Sequence, residues 1–545
     1  MKTAAPLSPA PAKTGPFQGN LNAQLTETDM SGRDRLFRNV VASWAGHLVF
    51  IVAGFILPRM IDRQIGQAEL GIWDFSWSLV NYFGMAGLGI GSSVNRYVAK
   101  YRSSQETQKL RTAVSSVFVI QLIASLIIAG LTGAATWAIP VFFAERFGGY
   151  HVTAQYVVLL LGLSLAVQMA FDTFRGVITG CHRWDVHNGL NAGTYAATVG
   201  AMIFSMMQGG RLVSLGAVYL GGTLLSELAR AFLAYRICPL ISVDLKYFSL
   251  RQAGAMLKFG IKGIVGGIAY VVIFQATSIL IASHMGPAAL AIFSRPAALV
   301  RVIENIISKF AMILTPTAGS LQSTDQIGEL QGLFLESARI GVFLTLPGVI
   351  FLAFLGGPIL EIWMGAAYGS GMVVSILALG AFLPISLQSV FTILTGMNLH
   401  GRVGLASSLV SIFLFAAGAV VLTIIGWDLT NASALLAISF TAGVGILRSI
   451  YGCLKLEIPI MQFLRRTFLQ PLACGLPFAA CLAFNRIFIV DQPVMSAIVG
   501  LASAIAVLGP LYWRYVVPES KRAKIRSIIR VPDLCKRRSV SSASN

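Results

Sequence analysis

Three pairs of opposite charges sit inside stretches that are otherwise apolar. Asp172 and Arg175, Glu227 and Arg230, and Arg301 and Glu304 are each three residues apart, a spacing that puts both members on one face of a helix. Such a pair either neutralises itself to ease burial or offers polar groups to a guest. For the pairs at 172 and 227 self-neutralisation is the simpler account, because both lie toward the end of their stretches, where long side chains reach water. Arg59, Asp74, Lys262 and Arg295 stand outside these pairs. Arg295 directly precedes Pro296, and Arg59 follows Pro58. An arginine held at depth presents a planar fork of donors that matches phosphate oxygens. The plain alternative is a side chain that snorkels to the interface.

The elements that must position these charges are membrane-spanning helices. The chain has 545 residues, 56% hydrophobic and 12% charged, with mean hydropathy +0.74. A soluble domain carries about 25% charged residues. The apolar residues come in long runs, each able to cross a hydrocarbon layer of about 30 Å as a helix of about 20 residues, the form that satisfies its own backbone in lipid. About fourteen runs are read, at 39–61, 72–95, 112–138, 153–178, 187–208, 212–235, 257–283, 289–314, 335–356, 370–396, 403–426, 430–452, 468–488 and 494–517. Residues 1–38, polar and rich in Pro and Ala, read as a disordered tail. No apolar core precedes the first run, so no cleaved leader is expected.

The net charge of +19 is a topology signal, because basic residues near spans stay cytoplasmic. Dense basic clusters fall before the first run (Arg33, Arg35, Arg38), after the second (Arg96, Lys100, Arg102, Lys109, Arg111), after the sixth (Arg236, Lys246, Arg251, Lys258), after the twelfth (Lys455, Arg465, Arg466) and in the tail at 518–545. Threading fourteen spans puts every cluster on one side and both termini in the cytoplasm. The spread over many loops, with no basic patch interleaved with aromatics, excludes nucleic acid as a partner.

The cysteines form no CxxC pair and read as small apolar residues; no metal site or cofactor is expected. His182 and His187 flank Arg183 in a short loop and read as solvated surface. Loops are short throughout, the longest outward one being about a dozen residues near 139–152, and none could fold as a catalytic domain of about 50 residues. No GxxxxGK[ST] is present. The chain is therefore read as moving something rather than converting it.

An internal repeat supports this. IGQAELGIW at 65–73 and MGPAALAIF at 285–293 are 220 residues apart, with Gly66 matching Gly286, Ala68 matching Ala288, Leu70 matching Leu290 and Ile72 matching Ile292. Both lie between the first and second spans of a six-span set, so the repeat is parallel, about an axis along the membrane normal. The expected fold is an all-α integral membrane protein: a six-helix lobe at 39–236, an inter-lobe linker at 237–256, a second six-helix lobe at 257–452, two additional helices at 453–517 and a basic tail at 518–545. Gly84, Gly87, Gly89 and Gly91 in the second run are read as packing or hinge positions.

The stretch IGQAELGIWDFSWSLVNYFGMAGLGIGSSVNRYVAKY (65–101) resembles the opening of the polysaccharide transporter family, and MGPAALAIFSRPAALVRVIENIISKFAMILTPTAGSL (285–321) resembles its second half. LGGPILEIWMGAAYGSG (355–371) and ISVDLKYFSL (241–250) are similar to further segments of it. The resemblance runs from about 35 to 460. It implies kinship with multidrug exporters and peptidoglycan-precursor flippases, and export of polyprenyl-diphosphate-linked oligosaccharide repeat units across a bacterial inner membrane by alternating access, for lipopolysaccharide, exopolysaccharide or capsule. It also implies that Arg59, Asp74, Lys262 and Arg295 face the cavity, since the first two spans of each lobe do so in that superfamily; Arg301 and Arg175 are further candidate cavity charges. Membrane lipids, a polysaccharide polymerase and chain-length machinery are the implied partners. The alternatives are an ion-coupled exporter of small molecules or drugs, which would favour an acidic and aromatic cavity, and a membrane-embedded glycosyltransferase or polymerase, which the missing outward loop disfavours.

Overall fold

A computed structural model describes residues 33–87, 90–264, 267–488 and 492–516, with Glu519 and Arg522. The described residues are helical, with short turns. In chain order the helices are α1 (Arg33–Gln64), α2 (Gln67–Phe83), α3 (Ile90–Ser103), α4 (Thr107–Phe147), α5 (His151–Gly180), α6 (Trp184–Met207), α7 (Leu212–Ile237), α8 (Leu250–Ile264), α9 (Ile268–Met285), α10 (Pro287–Met312) and α11 (Leu314–Ser323). They continue with α12 (Ile327–Met364), α13 (Gly371–Ser386), α14 (Gln388–Gly396), α15 (His400–Ile425), α16 (Leu429–Phe440), α17 (Arg448–Lys455), α18 (Ile460–Leu464), α19 (Gln470–Phe488), α20 (Pro493–Ser503) and α21 (Gly509–Tyr515). Three wide π turns, Thr441–Leu447, Arg465–Leu469 and Ala504–Leu508, join α16 to α17, α18 to α19 and α20 to α21.

Among the described residues nine stretches are long and apolar enough to cross a membrane, one of them, Thr107–Gly180, holding both α4 and α5. The expected spans at 39–61, 72–95, 187–208 and 289–314 fall on α1, on α2 with α3, on α6 and on α10, which lie outside those nine. Large apolar side chains face outward, among them Leu126 on α4, Phe232 on α7 and Phe413 and Ile424 on α15. A soluble monomer rarely exposes contiguous apolar surface on this scale; on a multi-pass membrane protein it is the lipid face.

The structure departs from the sequence expectations in places. The expected loop at 139–152 is helix as far as Phe147, followed by a single 3₁₀ turn, Gly148–Tyr150. Nothing in 139–147 forbids helix, and Pro140 is carried inside it. The second expected span breaks at the 3₁₀ turn Gly84–Gly87, and the tenth breaks between α13 and α14, just after Pro384; proline removes a helical hydrogen bond. Of the expected tail at 1–38, residues 33–38 are helical, while residues 1–32 and most of 518–545 lie outside the described residues.

The chain divides into two compact units, residues up to Ala291 and residues from Ile292 on. The 220-residue spacing holds for whole elements. It separates the first residues of α2 and α10, of α4 and α12, and of α5 and α13. Left-handed turn residues recur with it: Gly66 (φ 125°) with Gly286 (φ 86°), and Gln105 (57°) with Asp325 (54°). Slightly closer together come Gly148 and Gly365, His182 and Asn398, and Gly209 and Gly426, all with positive φ. Gly66 and Gly286 each open a helix in a backbone region that a Cβ disfavours, which accounts for glycine at both matched positions.

The first unit is centred on α4, α5 and α7, with Val94, Val114, Val117, Val177, Ile178 and Met256 in one core cluster. The connector after α7 is strapped to the start of α4. Arg111 Nε donates to the Leu240 carbonyl (3.1 Å), Ser115 Oγ donates to the Ser242 carbonyl (2.8 Å) and accepts from the Asp244 amide (3.2 Å), and the Ser249 amide donates to Ser116 Oγ (3.0 Å). In the second unit, α12 packs with α14, α17 and α18 through Phe334, Val390, Ile393, Cys453 and Phe463. A second cluster joins it to the additional helices through Leu355, Phe478, Leu482 and Leu508.

Candidate functional site

Two of the three charge pairs meet in one place. Asp172 and Arg175 on α5 and Glu227 and Arg230 on α7 line a cavity of about 250 Å³, together with α6 and Phe50 of α1. Each helix contributes polar residues at helical spacing: Gln168, Asp172 and Arg175 from α5; Asn191, Thr194, Tyr195 and Thr198 from α6; Tyr219, Thr223, Ser226, Glu227 and Arg230 from α7. Gly222 lets α6 and α7 converge here. A Cβ on it would lie 2.1 Å from Thr198 Oγ1, so the close crossing needs glycine, as is common between helices in lipid.

The pairs are bonded as their spacing implies. Arg230 Nη1 donates to both Glu227 oxygens (2.6 and 2.7 Å), and its Nη2 donates to Asn191 Oδ1 (2.6 Å). Glu227 is 3% exposed and Arg230 7%. Two buried charges are tolerable only when paired and hydrogen-bonded, and this geometry supplies both. Arg175 Nε donates to Asp172 Oδ1 (2.6 Å), and Gln121 Nε2 of α4 donates to Asp172 Oδ2 (3.0 Å). Gln121 in turn accepts from Thr173. The Arg175 side chain is 47% exposed, against 16% for Asp172, so this pair has the wetter side of the cavity. Asn191 also meets His187 Nε2 (3.2 Å). Tyr195 stacks on Phe50 with ring centres 4.5 Å apart, and Tyr219 meets the edge of Trp77 at 5.2 Å.

His187 is buried rather than solvated, a correction to the sequence reading: α6 starts at Trp184, so His187 is already one turn into a packed helix. His182 is exposed in the turn. Among the described residues Arg230 Nε and His187 Nδ1 have no protein partner, so the network retains unused hydrogen-bonding capacity. The lining as a whole carries two carboxylates and two guanidiniums, hence no net charge, surrounded by hydroxyls, amides and aromatic faces. That combination hydrogen-bonds a neutral polar guest and stacks on its apolar face.

Of the expected cavity charges, Arg175 alone lines this cavity. Arg59 is partly buried near the end of α1, with Asp62 one turn further on, and Asp74 is partly buried in α2. Arg295 is 5% exposed in α10, and Arg301 is partly buried two turns beyond it. Arg59, Asp74, Arg295 and Arg301 each interact with neighbouring groups. Lys262 lies in α8, and its side chain is outside the described residues. The sequence reading passed over Gln121, Gln168, Asn191, Thr194, Ser226 and the two tyrosines. Their signal was present: residues 187, 191, 194 and 198, and 219, 223, 226, 227 and 230, are polar stripes at helical period in spans that are otherwise apolar. Among the described residues no cluster of His, Cys, Asp or Glu could hold a metal ion.

Residues 94–374 match the family described as "Polysaccharide biosynthesis protein". No curated protein matches the sequence. Solved structures share the fold. An inward-facing multidrug resistance MATE family transporter of the MOP superfamily aligns at 14% identity with TM-score 0.62, over 76% of this chain and 94% of its own. The lipid II flippase MurJ in an inward closed conformation aligns at 13% identity with TM-score 0.62, over 88% and 100%. A MOP superfamily transporter from Pyrococcus furiosus aligns at 15% identity with TM-score 0.57, over 79% and 95%.

Proposed function

This chain belongs to the family of polysaccharide biosynthesis proteins, and from that premise we propose that it is a flippase translocating polyprenyl-diphosphate-linked oligosaccharide repeat units across the bacterial inner membrane. The single observation that carries the reading is the α5–α7 cavity: charge-balanced, lined by hydroxyl, amide and carboxylate groups and flanked by aromatic rings, in helices whose outer surface is apolar. Sugar hydroxyls both donate and accept, and this lining offers both kinds of partner. The likeness to the fold of a lipid II flippase agrees with a lipid-borne cargo. A membrane position with both termini cytoplasmic follows from the basic-loop asymmetry.

An exporter of organic cations would leave its carboxylates facing the cargo. Here Asp172 and Glu227 are each bonded to an arginine, which favours the sugar reading. In the same proposal Arg295, with Arg301, Lys262, Arg59, Asp74 and Arg175, supplies the charges that the diphosphate meets during alternating access, and Arg295, 5% exposed in α10, is the one tested first.

The test is deletion of the protein and analysis of lipid-linked oligosaccharide, with polymer export restored by the wild-type chain. Accumulation of lipid-linked repeat units on the cytoplasmic side is the expected result, and unchanged lipid-linked pools with unchanged polymer would overturn the proposal. Arg295→Ala should abolish export at normal membrane level, since removing a charge at depth eases insertion by about 2.5–3.5 kcal/mol, and Arg295→Lys should restore part of it.

A further inference from the structure

A second cavity, of about 560 Å³, opens in the second unit between α12 and the π turn that precedes α19. Its charged lining is Glu336, Arg339, Arg465 and Arg466. Arg339 is engaged by Glu336, Nη2 to Oε1 at 3.4 Å. Among the described residues neither Arg465 nor Arg466 forms an ion pair, so the cavity carries two uncompensated positive charges. The wide turn Arg465–Leu469 brings these two consecutive side chains to one cavity. Consecutive residues of a regular helix point about 100° apart, and a π turn reduces that angle, a device common at functional sites.

The surroundings specify the ligand. Arg465 and Arg466 lie within two turns of the start of the apolar stretch Ile460–Phe488, from where long side chains reach the lipid headgroups. From the cavity, Leu469, the last residue of the π turn, leads to Leu472 and Leu476 on the outside of α19, all three exposed and at the spacing of one helix face. A basic pocket continuous with an apolar track fits a molecule with an anionic head and acyl chains. Basic pockets between spans on the cytoplasmic side hold phosphate headgroups by the same physics. We propose that this cavity binds the phosphate headgroup of an anionic membrane lipid, and that the additional helices thereby couple the second repeat unit to the lipid composition of the leaflet. The site is built from residues other than those of the α5–α7 cavity and stands independently of the cargo.

The test uses the full chain, purified in detergent, with thermal unfolding followed during titration with phosphatidylglycerol, phosphatidylcholine or inorganic phosphate. Phosphatidylglycerol should stabilise the wild type, and the other two should not. Removing two headgroup arginines in Arg465→Gln/Arg466→Gln should weaken the half-saturating concentration about thirtyfold. Gly332→Phe provides a variant that keeps every charge. Gly332 is on the cavity wall and a Cβ there meets nothing within 4 Å, so the ring fills the cavity without disturbing the helix and should also weaken binding. Arg402→Gln, a basic residue outside the cavity, should bind as the wild type does. Unchanged phosphatidylglycerol binding by both cavity variants, or equal stabilisation by phosphatidylcholine, would overturn the proposal. An equal shift from inorganic phosphate alone would do so too, by reducing the site to a free-anion site.

Discussion

In the first unit Arg230 reaches from α7 to Asn191 on α6 and is clasped by Glu227. In the second unit Arg448, at the start of α17, reaches Ser407 on α15, its Nε donating to Ser407 Oγ at 2.9 Å, and its guanidinium lies 4.1 Å from the centre of the Phe391 ring. Asn191 and Ser407 follow the left-handed turn residues His182 and Asn398 at the same interval, so they occupy one place in the repeat. Arg448 is 8% exposed, as deep as Arg230. The same scaffold has therefore held a buried arginine in two ways. One uses a carboxylate and leaves a polar cavity beside it; the other uses a hydroxyl and an aromatic face and reads as packing. The cavity-forming groups of the first unit belong to particular side chains of α5, α6 and α7.

The sharpest way to break this comparison is Glu227→Gln. It strands Arg230 in a buried site, and losing one partner of such a pair costs about 3–5 kcal/mol. Denaturant or thermal unfolding of the purified protein should show that loss. The double change Glu227→Leu/Arg230→Leu should recover most of the stability, because an apolar pair of similar volume is often neutral, while export stays lost. Recovery of export along with stability would make the pair structural only, like Arg448.

Arg448→Ala should cost less, about 2 kcal/mol for a desolvated cation over a ring, with export preserved once expression is matched. Loss of export at normal stability would show that the second unit also presents chemistry to the cargo. Asp172→Asn should destabilise by no more than about 1 kcal/mol, since its partner is half exposed, yet should reduce export in a membrane-vesicle assay. Unchanged export would leave the cavity to Glu227 and its neighbours.

How far the sequence revealed this site follows from the kind of signal each residue leaves. The pairs at 172 and 227 were visible because charge at depth is rare, and their i,i+3 bonding followed from helix geometry. Their convergence was not visible, because it depends on how α5, α6 and α7 rotate against one another, which Gly222 and its neighbours set through packing. Asn191, Thr194 and Ser226 were overlooked because amides and hydroxyls do not stand out in an apolar run until their period is counted. The repeat was legible from one nine-residue match because Gly66 and Gly286 are fixed by backbone geometry, and the other recurring turns use different residues, Gln105 for Asp325 and His182 for Asn398. The breaks in the second and tenth spans were marked by glycines and by Pro384, whereas the length of α4, about 60 Å at 1.5 Å per residue, was hidden because its polar start, and its end around Pro140, read as loop.

The smallest expected effect lies in the connector after α7. The Lys246 side chain and backbone amide, both hydrogen-bonded to Asp244, hold that carboxyl below its usual range. A depressed carboxylate stabilises above its unfolded pKa, and that contribution is lost as pH falls through the folded value. Wild type and Asp244→Asn should therefore differ slightly above about pH 4 and converge below it, in unfolding measured across pH. A difference that grew on acidification would invert the assignment.

The same connector has a bearing on proteolysis. A protease must draw its substrate out into an extended strand, and it usually nicks at exposed loop tips. Here Arg111, Ser115 and Ser116 hold the backbone at Leu240, Ser242, Asp244 and Ser249, so cutting requires those bonds to open first. This polar connector is therefore a protected segment, and brief digestion of the folded protein should leave the chain uncut between Leu240 and Ser249.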